Sequence, residues 1–164
     1  MNTRPAPPAR QGMSLAEVDT PALLLDLDVF ERNLDRMDKS LAQTRIRVRP
    51  HAKSHKCPEI ALRQMARGAI GVCCQKVSEA EAMVEGGVMN VLVSNEVVGA
   101  PKLARLAALA RRARISVCVD NEQNVADLDA AAQSAAQCGA ERRFGGSGRC
   151  RTSDLRVVSA ALYR

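Results

Sequence analysis

The chain has no tryptophan, one tyrosine and two phenylalanines in 164 residues. So few rings remove the stacking platforms on which single-strand nucleic-acid binders rely. No run of about 18 apolar residues exists to span a membrane. The opening MNTRPAPPARQG also lacks the apolar stretch of a secretory signal. Six cysteines include no C-x-x-C pair, and Cys73 and Cys74 are adjacent, so neither a zinc site nor a disulfide framework is signalled. Cys57, Cys118 and Cys138 fall in regular stretches where cysteine acts as a small buried apolar residue. A Gly-rich phosphate turn after an early strand is missing too, which counts against a doubly wound nucleotide-binding sheet. These absences leave a soluble, cytoplasmic chain with reduced thiols and no membrane partner.

The formal charge is +6, but it is unevenly spread. Residues 140–164 hold six arginines against Glu141 and Asp154, and the rest of the chain is nearly neutral. A basic tail on a neutral body, without aromatics, argues against a nucleic-acid partner. The 46% of apolar residues supplies a core for one domain. Three sections follow: a disordered Pro-rich leader over 1–17, a folded body over 18–139, and an atypical basic tail over 140–164.

In the body, Thr20 to Leu27 reads as a short buried strand opened by a proline. A helix follows through Val29, Phe30, Leu34, Met37 and Leu41, with Asp28 as its amino-terminal cap. Four further strands are expected at 45–50, 69–73, 90–94 and 115–119, each leading into a helix, at 58–67, 78–85, 100–112 and 121–137. Strand and helix in alternation with short loops imply a parallel sheet. The chemically rich residues follow the strands: His51 to Lys56, Cys74 to Lys76, Asn95 and Asp120. That placement favours an α/β fold of the (β/α)8 TIM-barrel type, of which this chain supplies the amino-terminal half, truncated. A half barrel leaves its sheet edges open and its interior uncovered.

Arg49-Pro50-His51-Ala52-Lys53-Ser54-His55-Lys56 gathers both histidines of the protein and two lysines at one strand end. A Schiff-base lysine must be partly deprotonated, which neighbouring positive charge and desolvation both favour. Arg49, Lys56 and the histidines are candidates for that charge. In an extended strand Lys53 shares a face with His51 and His55, so a histidine could serve as base beside it. A solvated basic turn, an anion site and metal binding by His51 and His55 remain open on residue types alone, although no carboxylate lies close to complete a metal shell. Lys76, Glu79 and Glu81 read as solvated helix residues. Cys73 and Cys74 should face opposite sides of their strand.

The segments RPHAKSHKCPEI (Arg49 to Ile60), GVCCQKVSEAEAMVEGGV (Gly71 to Val88), VLVSNEVVG (Val91 to Gly99) and VCVDN (Val117 to Asn121) together resemble the D-threonine aldolase family. The resemblance covers about residues 18–139. Close relatives are 3-hydroxy-D-aspartate aldolases and D-serine dehydratases, which share an alanine racemase N-terminal-like barrel. It implies a lyase using pyridoxal 5'-phosphate, with Lys53 as the Schiff-base lysine and Gln75 at the cofactor; the strand-end positions of His51 and Asn95 suit a catalytic partner and a cofactor contact, with a hydrogen-bonded structural role the alternative for each. It implies retro-aldol cleavage of a small D-β-hydroxy-α-amino acid to glycine and an aldehyde. A divalent metal, manganese or magnesium, and a homodimer are expected of the full-length family, with the metal ligands absent from this chain. A non-catalytic pyridoxal phosphate-binding protein and a D-serine dehydratase-like enzyme are the alternatives.

The family continues with a second half barrel and a β-domain. Here the chain ends in ERRFGGSGRCRTSDLRVVSAALYR, where the apolar periodicity is lost. A frameshift is the expectation for this tail, with Gly148-Arg149-Cys150 as the family's own turn in the rival reading. The isolated chain is expected to have little or no aldolase activity.

Overall fold

In the computed structural model, residues 7–141 and 155–159 are described, the side chains of 137–141 and 155–159 excepted. The Gly148-Arg149-Cys150 turn and the Cys138 side chain lie outside them. Four strands form one parallel sheet in the order β1 (Val72–Cys74), β2 (Asn90–Glu96), β3 (Arg114–Val119) and β4 (Leu155–Ser159). The order never reverses, so the sheet lacks the switch point of a doubly wound fold and winds in the manner of a barrel. The helices between the strands are α3 (Val77–Glu85), α4 (Ala100–Leu109) and α5 (Glu122–Glu141).

Alternation places one row of each strand in a common core. Val72 and Cys74 of β1, Val91 and Val93 of β2, and Ile115, Val117 and Val119 of β3 pack with Ala80, Met83 and Val84 of α3, Leu103 and Leu106 of α4, and Leu128 of α5. Most are wholly enclosed, and each enclosed valine, leucine, isoleucine or methionine stabilises the fold by about 1.5–3 kcal/mol. The opposite row, Cys73, Leu92 and Ser116 in register, is the inner face of the curved sheet. It is less open than a half barrel predicts: Cys73 and Ser116 are buried, while Leu92 and Ser94 are half-buried. Cysteine and serine stand little above the backbone and are easily shielded.

The expected strand at 45–50 is shorter and later. Val48 accepts the Ile70 amide at 3.0 Å, Pro50 accepts the Cys73 amide at 2.7 Å, and the Ala52 amide donates to Cys73 at 2.7 Å, so 48–52 runs parallel beside β1 with a single bridge at His51. The expected strand at 20–27 does not form. Leu23, Leu24 and Leu25 are exposed there, because no neighbouring strand pairs with them. Helix α1 (Leu27–Leu41) is capped by Asp26 in place of Asp28: the Asp26 carboxylate accepts the Val29 amide at 2.9 Å, and Asp28 falls inside the first turn. No residue of α1 is buried, and Glu31 and Asp35 pair with Arg63 and Arg67 at α2 (Pro58–Ala66). Within the leader, Leu15–Glu17 forms a short 3-10 turn closed by a Ser14–Glu17 capping box. Within the tail, 155–159 supplies β4, a strand the sequence reading did not foresee.

Candidate functional site

The site is built where the chain leaves the sheet edge at His51. Ala52 is buried, and its carbonyl accepts the Lys56 amide at 2.8 Å, so 52–55 form a turn that ends with Lys56 at φ 50. Lys53 is exposed on this turn. The face shared by Lys53, His51 and His55 in an extended strand therefore does not exist. From the bridge at His51 the chain must reach the start of α2 at Pro58, and a turn makes that change of layer.

Both imidazoles are held by backbone two residues on. The Lys53 amide donates to His51 Nδ1 at 3.5 Å, and the Cys57 amide donates to His55 Nδ1 at 3.1 Å. The Ser54 hydroxyl donates to the His51 carbonyl at 3.3 Å. A neutral imidazole that accepts at Nδ1 carries its proton on Nε2, so each ring is a donor at its other nitrogen.

Across β1, Gln75 occupies the position after the strand, as Lys53 follows the paired segment 48–52. The Asn95 carboxamide donates to the Gln75 carbonyl at 3.1 Å, and the Ser94 hydroxyl donates to the Cys74 carbonyl at 3.3 Å. Thus the structure brings Gln75 and Asn95 together directly and links His51 to Lys53. A cavity of about 340 Å³ opens beside the first pair, lined by Gln75, Lys76, Ser78, Asn95, Lys102 and Arg105. A larger groove of about 860 Å³ between α4 and α5 contains none of the four candidate residues. Glu79 and Glu81 are not free helix residues: Glu79 accepts the Gln75 amide at 2.9 Å, and Glu81 pairs with Arg105 at 2.8 Å.

Arg49 has a different task from the one expected. Its guanidinium donates to the Val72 and Asn90 carbonyls, each at 3.3 Å, and to Asn90 Oδ1 at 3.0 Å, at the amino ends of β1 and β2. Asn90 in turn donates to the Ile70 carbonyl at 2.6 Å. Gly71, at φ 142, is needed because a Cβ there would collide with the Asn90 carbonyl and the Arg49 guanidinium. A glycine inside an apolar run is the sequence signal that could have revealed this clamp. Burial, with Glu79 and Cys73 adding to it, pushes the Cys74 thiol up to about 12, which makes it an inert packing group. Burial also pushes the Cys118 thiol up.

Among the described residues no group of three histidine, cysteine, aspartate or glutamate side chains could hold a metal ion. None of the described helices is long and apolar enough to cross a membrane.

Known proteins are similar to this chain in sequence and fold. D-threonine aldolase from Arthrobacter sp is 53% identical over 159 residues, covering 94% of this chain and 41% of that protein. 3-Hydroxy-D-aspartate aldolase from Paracoccus denitrificans is 49% identical over 128 residues, covering 77% of this chain and 33% of that protein. The crystal structure of D-threonine aldolase from Filomicrobium marinum superposes with a TM-score of 0.76 at 62% identity, over 79% of this chain and 35% of that one. The chain thus spans between a third and about two fifths of the length of these relatives. Residues 25–143, from the end of the exposed leucines to beyond α5, match the model of the alanine racemase N-terminal domain, and the chain belongs to that family.

Proposed function

We propose that this chain carries the cofactor lysine of a pyridoxal phosphate-dependent lyase that cleaves D-threonine, or a related D-β-hydroxy-α-amino acid, to glycine and an aldehyde. The observation that supports the reading is Lys53, a primary amine exposed on a turn beyond a parallel sheet segment, in a chain 53% identical to a D-threonine aldolase. Ligands of parallel α/β folds bind at the carboxyl ends of strands.

The residues present suit such a group. Lys53 forms no ion pair among the described residues, so its amine is open to a carbonyl partner, and Lys53 would hold the cofactor covalently. When bound, pyridoxal phosphate supplies an electron sink for the pair released as the Cα–Cβ bond breaks. Gln75 and Asn95, tied by their 3.1 Å hydrogen bond, would orient it. His51 accepts the Lys53 amide at Nδ1, and it would offer a proton from Nε2. A divalent metal and a homodimer belong to this proposal only for a full-length protein, and no step is derived through the metal. On this reading the protein is cytoplasmic.

The 164-residue chain alone should show little or no cleavage. Leu92 and Ser94 on the inner face are half-buried and Lys53 is exposed, so water reaches the site that a full barrel would close. Cofactor capture is the more direct test. After incubation with pyridoxal phosphate, borohydride reduction and peptide mapping, the pyridoxyl group should sit on Lys53, and Lys53→Ala should remove it. Label that is scattered over other lysines and unchanged in Lys53→Ala would sink the assignment.

A further inference from the structure

The family resemblance assigns His55 no role, yet it is the more tightly held of the two motif histidines. Its Nδ1 accepts the amide of Cys57, two residues on, at 3.1 Å, in the manner of an Asx turn. Cys57 is the extended residue before α2, at φ −118 and ψ 115, and contributes no side-chain cap itself. The bond therefore ties the end of the Lys53 turn to the start of the helix. Between them Lys56 sits at φ 50, a conformation that a lysine adopts only when its surroundings impose it. The bond from the Lys56 amide to the Ala52 carbonyl at 2.8 Å holds one side of that residue, and the His55–Cys57 bond holds the other.

The other nitrogen, Nε2, is enclosed and has no hydrogen-bond partner among the described residues. With Nδ1 acting as acceptor, Nε2 carries the proton. Burial pushes this imidazole below its usual range, which agrees with a neutral ring.

We infer that His55 is a positioning residue: a neutral imidazole, protonated on Nε2, whose Nδ1 fixes the turn that presents Lys53 to the cofactor. The inference rests on the reading of Lys53 as the cofactor lysine. It also separates the two nitrogens, since Nδ1 shapes the turn and Nε2 does not. His55→Asn keeps an oxygen where Nδ1 lies, as Asx turns do. His55→Gln reaches toward the Nε2 position and leaves the Cys57 amide without its acceptor.

The experiment uses the whole chain as wild type, His55→Asn and His55→Gln, with two measurements. The first is hydrogen exchange of the Cys57 amide by NMR without cofactor. The second is the rate at which borohydride fixes added pyridoxal phosphate on Lys53. His55→Asn should match the wild type in both. His55→Gln should exchange at Cys57 about tenfold faster, the size of one lost hydrogen bond, and label at Lys53 several-fold more slowly. Equal behaviour of the two variants overturns the inference, and so does faster exchange with unchanged labelling. If the wild type takes no label at Lys53, the cofactor-lysine reading falls. The exchange contrast between Asn and Gln then decides by itself whether His55 fixes the turn.

Discussion

Residues 20–27 and 72–93 are both rich in aliphatic side chains, and the fold treats them in opposite ways. Val72, Cys74, Val91 and Val93 are wholly enclosed, whereas Leu23, Leu24 and Leu25 are 101%, 64% and 51% exposed. The strands have a parallel neighbour in register and a helix over one face; the leucines have neither. Apolar character is therefore a demand for cover, and the cover has to come from elsewhere in the chain. Stability concentrates in the strand and helix layers between Val72 and Leu128, and the candidate site residues lie at the rim between His51 and Asn95.

The largest effect should come from the enclosed side. Ile115 lies in β3, paired on one edge with Val91 and on the other with Leu155, and is wholly buried. Ile115→Ala removes three carbons from a site hemmed in by paired strands and should cost roughly 2–5 kcal/mol. Urea unfolding followed by circular dichroism reads this directly. A cost near zero would mean that the core is loosely packed and that the contrast with the leucines is one of degree.

A smaller effect is expected at the start of α1, directly after the exposed leucines. Asp26 accepts the Val29 amide at 2.9 Å, and α1 buries no residue. Asp26→Ala should then cost about 1 kcal/mol, while Asp28→Ala, which lies past the cap, should cost less. A reversal of that order in the same urea titration would restore Asp28 as the cap.

Much of this division was legible in the sequence, and the failures have physical causes. The periodicity of Leu103, Leu106, Ala107 and Leu109 marks α4, because a buried helix face must repeat at helical spacing. The run at Thr20 to Leu27 misled because an apolar run states what needs cover and not whether cover exists. Leu155 to Ser159 was missed for the converse reason: five residues interrupted by Arg156 carry little pattern, and their pairing to β3 is set by the neighbour strand. At the candidate site, the reading of Lys53 came from the long motif around it. The Asn95–Gln75 bond joins residues 20 apart in the chain through strand pairing, and no local spacing announces it. The turn at 52–55 was hidden because alternation assumes that the strand continues.

The smallest predicted effect gives the sharpest test of the contrast. Leu23 is fully exposed, more so than Leu24 or Leu25. If it touches nothing in the folded chain, Leu23→Ser removes no packing and opens no cavity, and stability should change by less than about 0.5 kcal/mol. The same change at a buried aliphatic would cost several times more, since it would remove buried area and leave a hydroxyl unpaired. Leu23→Ser and Ile115→Ala compared in one titration therefore place the two regions on a common scale. A loss of 2 kcal/mol or more at Leu23, on the order of a buried aliphatic, would show that the leucines do find cover in solution. The amino-terminal stretch would then belong with the core, leaving the rim around Lys53 as the exposed part of the domain.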